Sequence, residues 1–246
     1  MAVVATMSTE GSLTSTVAKK RSNLALVVAA GGSAVRFGGN KLLASLHGKP
    51  VFLHCLTTLA PLASETVLVT PASQQGLFQK HLKEAGLKDV KVVTGGTSRV
   101  ASVLAGLQAL RGNAELVAVQ DAARPLTSPD LFERCAESAG MYGSGVAAHR
   151  VVDTIKLADQ KELVLDTPDR SNLWAAETPQ TFRVDWLQDA LERCLTMGRL
   201  VTDDSHAVQL CGHPVHLVEN HVPNPKITLP DDLALAEFLL TQRHRD

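Results

Sequence analysis

An α/β fold built on a parallel, doubly wound sheet is predicted by three features of the sequence. From Leu24 to the C-terminus, short apolar runs of strand type alternate with segments of helical period, the spacing of successive strand–helix–strand units. The first run, LALVVAA at 24–30, is continuously apolar and stops at glycines, as a parallel strand covered on both faces does. The segment from Arg99 to Leu110 places Val100, Val103, Leu104, Leu107 and Leu110 on one face, the pattern of a helix lying on a sheet.

The remaining elements follow in order. Pro50 opens a helical pattern that runs to Pro61, TVLVT at 66–70 is a second strand, and a helix near 75–86 leads to a third strand, VKVV, at 90–93. After the helix from Arg99 come a strand LVAVQ at 116–120, a helix from Pro129 and a short strand GVAAH at 145–149. Between residues 150 and 175 the alternation breaks: VVDTIKL alternates, DQKE is a turn and LVLDTP alternates again, so a protruding two-stranded arm is expected. A lone hairpin is marginal in water; the arm therefore packs on something, and a second subunit is the simplest candidate. Helices near 183–197 and 202–210 and a strand VHLVE at 215–219 lead to a closing helix after Pro230. Asp231 and Asp232 fall in its first turn, where the helix dipole favours acids.

Composition narrows the function classes. Of 246 residues, 45% are hydrophobic and 20% charged, and 24 Lys plus Arg against 25 Asp plus Glu give a net charge of −1. No global cationic field draws the chain to nucleic acid or to an anionic membrane. The longest apolar run, Leu24 to Ala30, falls far short of the roughly 18 residues that span a bilayer. Cys55, Cys135, Cys194 and Cys211 lie far apart without a Cys-x-x-Cys pair and are expected as reduced thiols rather than disulfides or zinc ligands. Residues 1–22 are Ser- and Thr-rich, with their basic cluster after the small-polar stretch. They are expected as a disordered extension, a transit peptide being the alternative, and residues 23–246 as one domain with its arm at about 150–175.

Open parallel sheets bind ligands at the carboxyl ends of their strands. The loop after the first strand, Ala29-Ala30-Gly31-Gly32-Ser33-Ala34-Val35-Arg36-Phe37-Gly38-Gly39-Asn40-Lys41, combines glycines that let backbone N–H groups approach an oxyanion with two cations, Arg36 and Lys41; the set suits a polyphosphate. A glycine-rich turn with two solvated basic residues is the competing reading. Neither G-x-x-x-x-G-K-[ST] nor G-x-G-x-x-G is present, which argues against P-loop hydrolysis and a dinucleotide oxidoreductase, and no Gly-x-Ser-x-Gly elbow supports acyl chemistry. Asp121, in Gln120-Asp121-Ala122-Ala123-Arg124-Pro125, follows a buried strand and is placed to hold a divalent metal that carries phosphate oxygens; capping the next turn and pairing with Arg124 compete for it. Thr202-Asp203-Asp204-Ser205 offers a second acidic site, but Thr and Asp are also good helix caps and a helix follows, so capping is the expected role. His206, His213, His216 and His221 are read as surface or loop residues, Trp174 and Trp186 as core or interface aromatics. Phosphate handling through cations and a metal remains, and it suits nucleotidyl transfer.

AAGG…RFGG-NK, GGTSRVASVLAGL, VQDAARP, VVDTIK, DRSNLWAAETPQ, TDDS and NPKIT-x-PDDLALAE occur in this order across nearly the whole chain after residue 23. Together they resemble the 2-C-methyl-D-erythritol 4-phosphate cytidylyltransferase family. The resemblance implies a Rossmann-like, mostly parallel sheet of the nucleotide-diphospho-sugar transferase type with a protruding β-hairpin arm, and a homodimer joined through that arm. It implies transfer of CMP from CTP to methylerythritol phosphate, with Mg²⁺ or another divalent cation as cofactor, in isoprenoid precursor synthesis. A cytoplasmic bacterial enzyme is expected, a plastid one being the alternative.

Carried over residue by residue, Ala29, Ala30 and Gly31 would line the nucleotide and Gly95 with Ser102 would contact the cytidine part. Arg36 and Lys41 would hold the triphosphate, with Lys226 against the reacting phosphates. Asp121 would serve the nucleotide and the Mg²⁺, with Arg124 beside it on the substrate, and Thr154 and Arg170 of the arm would hold the methylerythritol phosphate. Gln120 stands where the family commonly has histidine and Thr97 where an acid is frequent; neither change removes a phosphate-binding charge. Cytidylyltransferases acting on ribitol 5-phosphate or related polyol phosphates share the loop and the Asp-Ala-Ala-Arg-Pro signature, so methylerythritol specificity rests on Asp153-Thr154-Ile155-Lys156 and Asp169-Arg170. A non-catalytic CTP-binding protein is the alternative of another class.

Overall fold

In the computed structural model, which describes residues 23–31, 37 and 39–243, the chain runs β1 (Leu24–Ala29), β2 (Ser45–Leu46), β3 (Lys49–Pro50), α1 (Val51–Leu59), β4 (Glu65–Thr70), α2 (Gln75–Glu84), β5 (Val90–Thr94), α3 (Arg99–Gln108), β6 (Leu116–Asp121), α4 (Pro129–Tyr142), β7 (Ser144–Arg150), β8 (Leu157–Ala158), β9 (Val164–Asp166), β10 (Trp174–Arg183), α5 (Val184–Thr196), α6 (Asp204–Leu210), β11 (Leu217–Glu219) and α7 (Pro230–Arg243). The extension expected over 1–22 and the cation Arg36 lie outside the described residues. Seven strands form one sheet in the order β11-β7-β10-β6-β1-β4-β5, parallel throughout except for β10, which runs antiparallel to both of its neighbours.

Alternation along β1 explains the two covering layers. Leu24, Leu26 and Val28 face a core with Phe52 and Leu56 of α1, Phe78 of α2 and Phe132 of α4. Ala25 and Val27 face the opposite core with Val103 and Leu107 of α3 and Leu187 and Leu191 of α5. Successive side chains of a strand point to opposite faces, so a continuous apolar run serves both layers at once, and the α/β doubly wound class follows. Helix α3 lies unusually close to the sheet: a Cβ on Gly106 would sit 2.5 Å from Val27 Cγ1 and 2.8 Å from Val69 Cγ2. The small residue lets α3 settle against β1 and β4, and so brings the start of α3 to the strand ends.

Two features differ from expectation. Strand β10 was not among the predicted elements, although it occupies the middle of the sheet. Its sequence, WAAETPQTFR, contains a proline and a polar run, both poor strand signals. The register shifts between Ala176 and Gln180, which accommodates Pro179 where a regular ladder would need an N–H donor, and the buried Gln180 side chain donates to the Glu177 carbonyl. The second difference is the 150–175 excursion. It is a separate two-stranded sheet, but β8 and β9 pair over only a few residues, with Asp159 Oδ1 accepting from the Lys161 and Leu163 N–H groups in the turn. Every residue from 152 to 167 is exposed, so the excursion has no buried face of its own.

Helix starts follow the capping rule: Ser98, Ser128 and Asp203 accept from the backbone N–H groups of Ala101, Leu131 and His206 at the heads of α3, α4 and α6. Cys55, Cys135 and Cys194 are buried, Cys211 is partly so, and all four are free thiols. His213 stacks on Trp186 and His216 on Tyr142, which gives two of the C-terminal histidines packing roles. Among the described residues no helix is long and apolar enough to cross a membrane.

Candidate active site

The carboxyl ends of β1, β4, β5 and β6 meet in one shallow floor. Ala29 is the register partner of Asp121 across the β1–β6 pair, the Ala122 N–H donates to the Ala29 carbonyl, the Ala30 N–H to that of Val69, and the Gly95 N–H to that of Thr70. Small residues keep the floor open. A Cβ on Gly95 would lie 2.8 Å from Ser102 Oγ and 3.1 Å from Val69 Cγ1, and one on Gly31 would lie 3.8 Å from the same Ser102 oxygen. The Ser102 hydroxyl donates to the Ser98 carbonyl in the preceding turn of α3 at 2.8 Å. The structure places Ala29, Ala30, Gly31, Gly95 and Ser102 together where β1 and β5 end beside the first turn of α3.

Asp121 is the last residue of β6 rather than a loop residue beyond it, and it is only 9% exposed. Its backbone N–H donates to Thr178 Oγ1 on β10 at 3.0 Å. Three cations surround its carboxylate: Lys226 Nζ at 2.8 Å, Arg99 at 3.4 Å and Arg124 Nε at 3.8 Å. Burial by itself would raise the Asp121 pKa, but Lys226, Arg99 and Arg124 outweigh it and hold the carboxyl below the ordinary range. The carboxylate stays ionised and the cations stay aimed at the strand ends.

Each cation is held by a different part of the chain. Arg99, the first residue of α3, also donates to Asp204 Oδ2 at 2.7 Å, and Asp204 is buried at the head of α6. Arg99 is raised above its usual value because Asp204 and Asp121 override the opposing effect of burial. Arg124 donates from Nη1 to the Asn224 carbonyl at 2.6 Å, and among the described residues its buried Nε has no hydrogen-bond partner. Burial lowers the Arg124 pKa against the pull of Asp121 and Glu177. Lys226 arrives on the segment after β11, which is stitched to the β6 turn by the Ile227 N–H donating to the Ala123 carbonyl.

Lys41 lies in the turn before β2, partly buried, within electrostatic reach of Asp232. Asp232 accepts from the N–H groups of Thr228 and Leu229, so Lys41 stands beside the segment that carries Lys226. Thr154 and Arg170 are not brought to Asp121. Both are exposed residues of the excursion, where Arg170 donates to the Val152 carbonyl at 2.6 Å.

Arg99, Glu177, Thr178 and Asn224 stand within the quoted motifs but are given no role there, and the structure links them, with Asp204, to the Asp121 cluster. Asp204 had one available signal: a helix needs one N-cap, Asp203 fills it, and a second acid in the buried first turn asks for a cation. Capping holds for Asp203 and is corrected for Asp204, which is an ion-pair partner. Among the described residues no group of three or more His, Cys, Asp or Glu could hold a metal. The ionised Asp121 carboxylate at the strand ends is nevertheless a donor of the kind a hard divalent cation takes, which binds through one or two carboxylates and draws its other ligands from phosphates and water.

Comparison with known proteins identifies relatives over nearly the whole chain. The family model described as IspD, 2-C-methyl-D-erythritol 4-phosphate cytidylyltransferase, matches residues 24–242. The protein of that name from Microcystis aeruginosa is 41% identical over 225 residues, 89% of this chain and 99% of the relative. Its counterpart from Crocosphaera subtropica is 42% identical over 225 residues, 89% and 98% of the two chains. Among solved structures, 4-diphosphocytidyl-2C-methyl-D-erythritol synthase from Anaerococcus prevotii superposes with a TM-score of 0.78 at 26% identity, covering 91% of this chain and 99% of the other. The Francisella tularensis 2-C-methyl-D-erythritol 4-phosphate cytidylyltransferase superposes with a TM-score of 0.76 at 28% identity, covering 89% and 100%.

Proposed function

The chain belongs to the 2-C-methyl-D-erythritol 4-phosphate cytidylyltransferase family and transfers the cytidylyl group of CTP to 2-C-methyl-D-erythritol 4-phosphate in isoprenoid precursor synthesis, and from that premise we propose that the cluster around Asp121 carries the reaction. The observation behind this assignment is the Lys226–Asp121 contact of 2.8 Å, flanked by Arg99 and Arg124, at the carboxyl ends of the strands. In the proposed step an oxygen of the substrate phosphate attacks the α-phosphorus of CTP in line. One P–O bond forms, the bond from the α-phosphorus to the bridging oxygen breaks, and pyrophosphate leaves with the electron pair.

Both reactants are anions, so positioning and charge neutralisation dominate the barrier. Ala29, Ala30, Gly31, Gly95 and Ser102 hold the nucleoside, Arg36 and Lys41 the triphosphate, Arg124 the incoming phosphate, and Lys226 the charge that builds between them. No general base is required, because a phosphate monoester with its second pKa near 6 is already nucleophilic at neutral pH. Asp121 would hold a Mg²⁺ together with the phosphates, and the ion would supply further neutralisation of the triphosphate. Asp121→Asn is expected to raise the Mg²⁺ concentration for half-maximal rate by about tenfold or more, since a neutral amide is a poor ligand for a hard cation. An unchanged Mg²⁺ dependence would restrict Asp121 to organising its three cations.

Residues 23–246 act as one domain in this reading, with 150–175 as the arm that joins two copies. Four free cysteines suit a reducing compartment, and the proposed location is the bacterial cytoplasm. The deciding assay is pyrophosphate release with CTP and either methylerythritol phosphate or ribitol 5-phosphate. Release with the first alone is expected. Release with ribitol 5-phosphate alone would reassign the substrate, and CTP binding without release on either would make the chain a CTP sensor.

A further inference from the structure

We propose that His149, oriented by Glu177, is a specificity-determining residue that accepts a hydrogen bond from a hydroxyl of the polyol phosphate. The inference rests on the substrate assignment above and extends it to a residue outside the quoted motifs. Next to Asp121 opens a cleft of about 640 Å³ whose lining includes Arg124, Lys226, His149, Glu177 and Asn224. Its chemistry is graded. Arg124 and Lys226 are cations suited to a phosphate, whereas Glu177 is an acid that would repel one and His149 offers a hydrogen-bonding ring. Val222, Leu235 and Leu239 add apolar wall. A chain with one anionic end, hydroxyls along it and a methyl group matches that gradient.

The hydrogen bonds around Glu177 set the role of the imidazole. Glu177 is 5% exposed, and its Oε2 accepts from Asn220 Nδ2 and Asn224 Nδ2, each at 2.9 Å. Both amides are oriented by their other ends, since Asn220 Oδ1 accepts from the Val222 N–H and Asn224 Oδ1 from the Thr127 hydroxyl. Two donors on one oxygen favour the ionised carboxylate, which only accepts. His149 Nδ1, 2.6 Å from Glu177 Oε1, is therefore the donor of that pair. In the neutral ring this leaves Nε2 as an acceptor. The His149 side chain is 51% exposed, and among the described residues no protein group bonds Nε2. The same carboxylate anchors Asn224, whose carbonyl holds Arg124, so hydroxyl reading and phosphate binding share one rigid support.

The test compares wild type, His149→Leu and Glu177→Gln with CTP and methylerythritol phosphate, and with analogues of that substrate each lacking one hydroxyl. His149→Leu is expected to lower kcat/KM for methylerythritol phosphate about tenfold, the usual worth of one half-exposed hydrogen bond to an imidazole, while KM for CTP stays unchanged. For the analogue lacking the hydroxyl that His149 reads, the variant and wild type should perform alike. Glu177→Gln keeps an oxygen for the two asparagines but donates to Nδ1, turning Nε2 into a donor, and should cost a few-fold on the same parameter. This second variant decides the matter if His149→Leu does not fold. Equal loss on every analogue, a shift in KM for CTP, or no loss at all would overturn the role of His149 while leaving the wild-type activity intact. A wild type inert on methylerythritol phosphate would overturn the substrate reading itself, and this inference with it.

Discussion

Lys41→Ala is expected to lose on the order of 10²-fold or more in kcat while its thermal unfolding is unchanged, because removing one preorganised electrostatic donor typically costs that much. The structure adds a reason for the fold to survive. Lys41 sits in a turn, and the cores on either side of the sheet are built without it. Its neighbour in the proposed chemistry, Lys226, offers a contrast. Lys226→Ala should lose at least as much, since it also takes the nearest cation from Asp121 and leaves the carboxylate to Arg99 and Arg124. A near-normal kcat for Lys41→Ala, measured by pyrophosphate release at saturating CTP, would reduce its loop to a glycine-rich turn.

Mixing two inactive variants should restore activity. Thr154 and Arg170 lie in an excursion whose residues 152–167 are all exposed, including Val152, Leu163 and Leu165 at 79%, 65% and 61%. Apolar side chains held out in this way need a cover, and the excursion does not bring Arg170 to its own Asp121. If the arm of one subunit completes the site of its partner, each active site is composite. Lys41→Ala and Arg170→Ala, unfolded and refolded together, would then form mixed dimers in which one site carries both lesions and the other neither. Random pairing makes about half the dimers mixed, each with one intact site, so activity should return to roughly a quarter of wild type. Sites built within one subunit would each keep a lesion, and no activity would return. No recovery from a preparation shown to contain mixed dimers would discard the shared site.

Much of the fold is legible from local pattern. LALVVAA and LVAVQ are strands because continuous apolar runs satisfy two covering layers, and the face carried by Val103, Leu104 and Leu107 is buried on the sheet as its spacing requires. The serine caps of α3 and α4 are local hydrogen bonds between residues three apart, and they too are readable in sequence. Strand β10 was not legible, because its place in the centre of the sheet is decided by β6 and β7, the partners on its two sides, while its own composition argues for a loop.

The candidate site divides along the same line. Asp121 and the loop cations could be proposed from strand ends and glycine-rich turn chemistry, which are local properties of the chain, whereas Ala29 to Gly31, Gly95, Ser102 and the substrate role of Arg124 are named because their contiguous motifs resemble those of the family. The pairing of Arg99 with Asp204 spans 105 positions, and the Glu177 contacts with His149, Asn220 and Asn224 join β10 to β7 and to the segment after β11. Only the tertiary structure could bring these groups together. A buried charge is tolerated where a partner is within hydrogen-bonding distance, and which residues come within that distance is settled by the packing of strands and helices, not by their order along the chain.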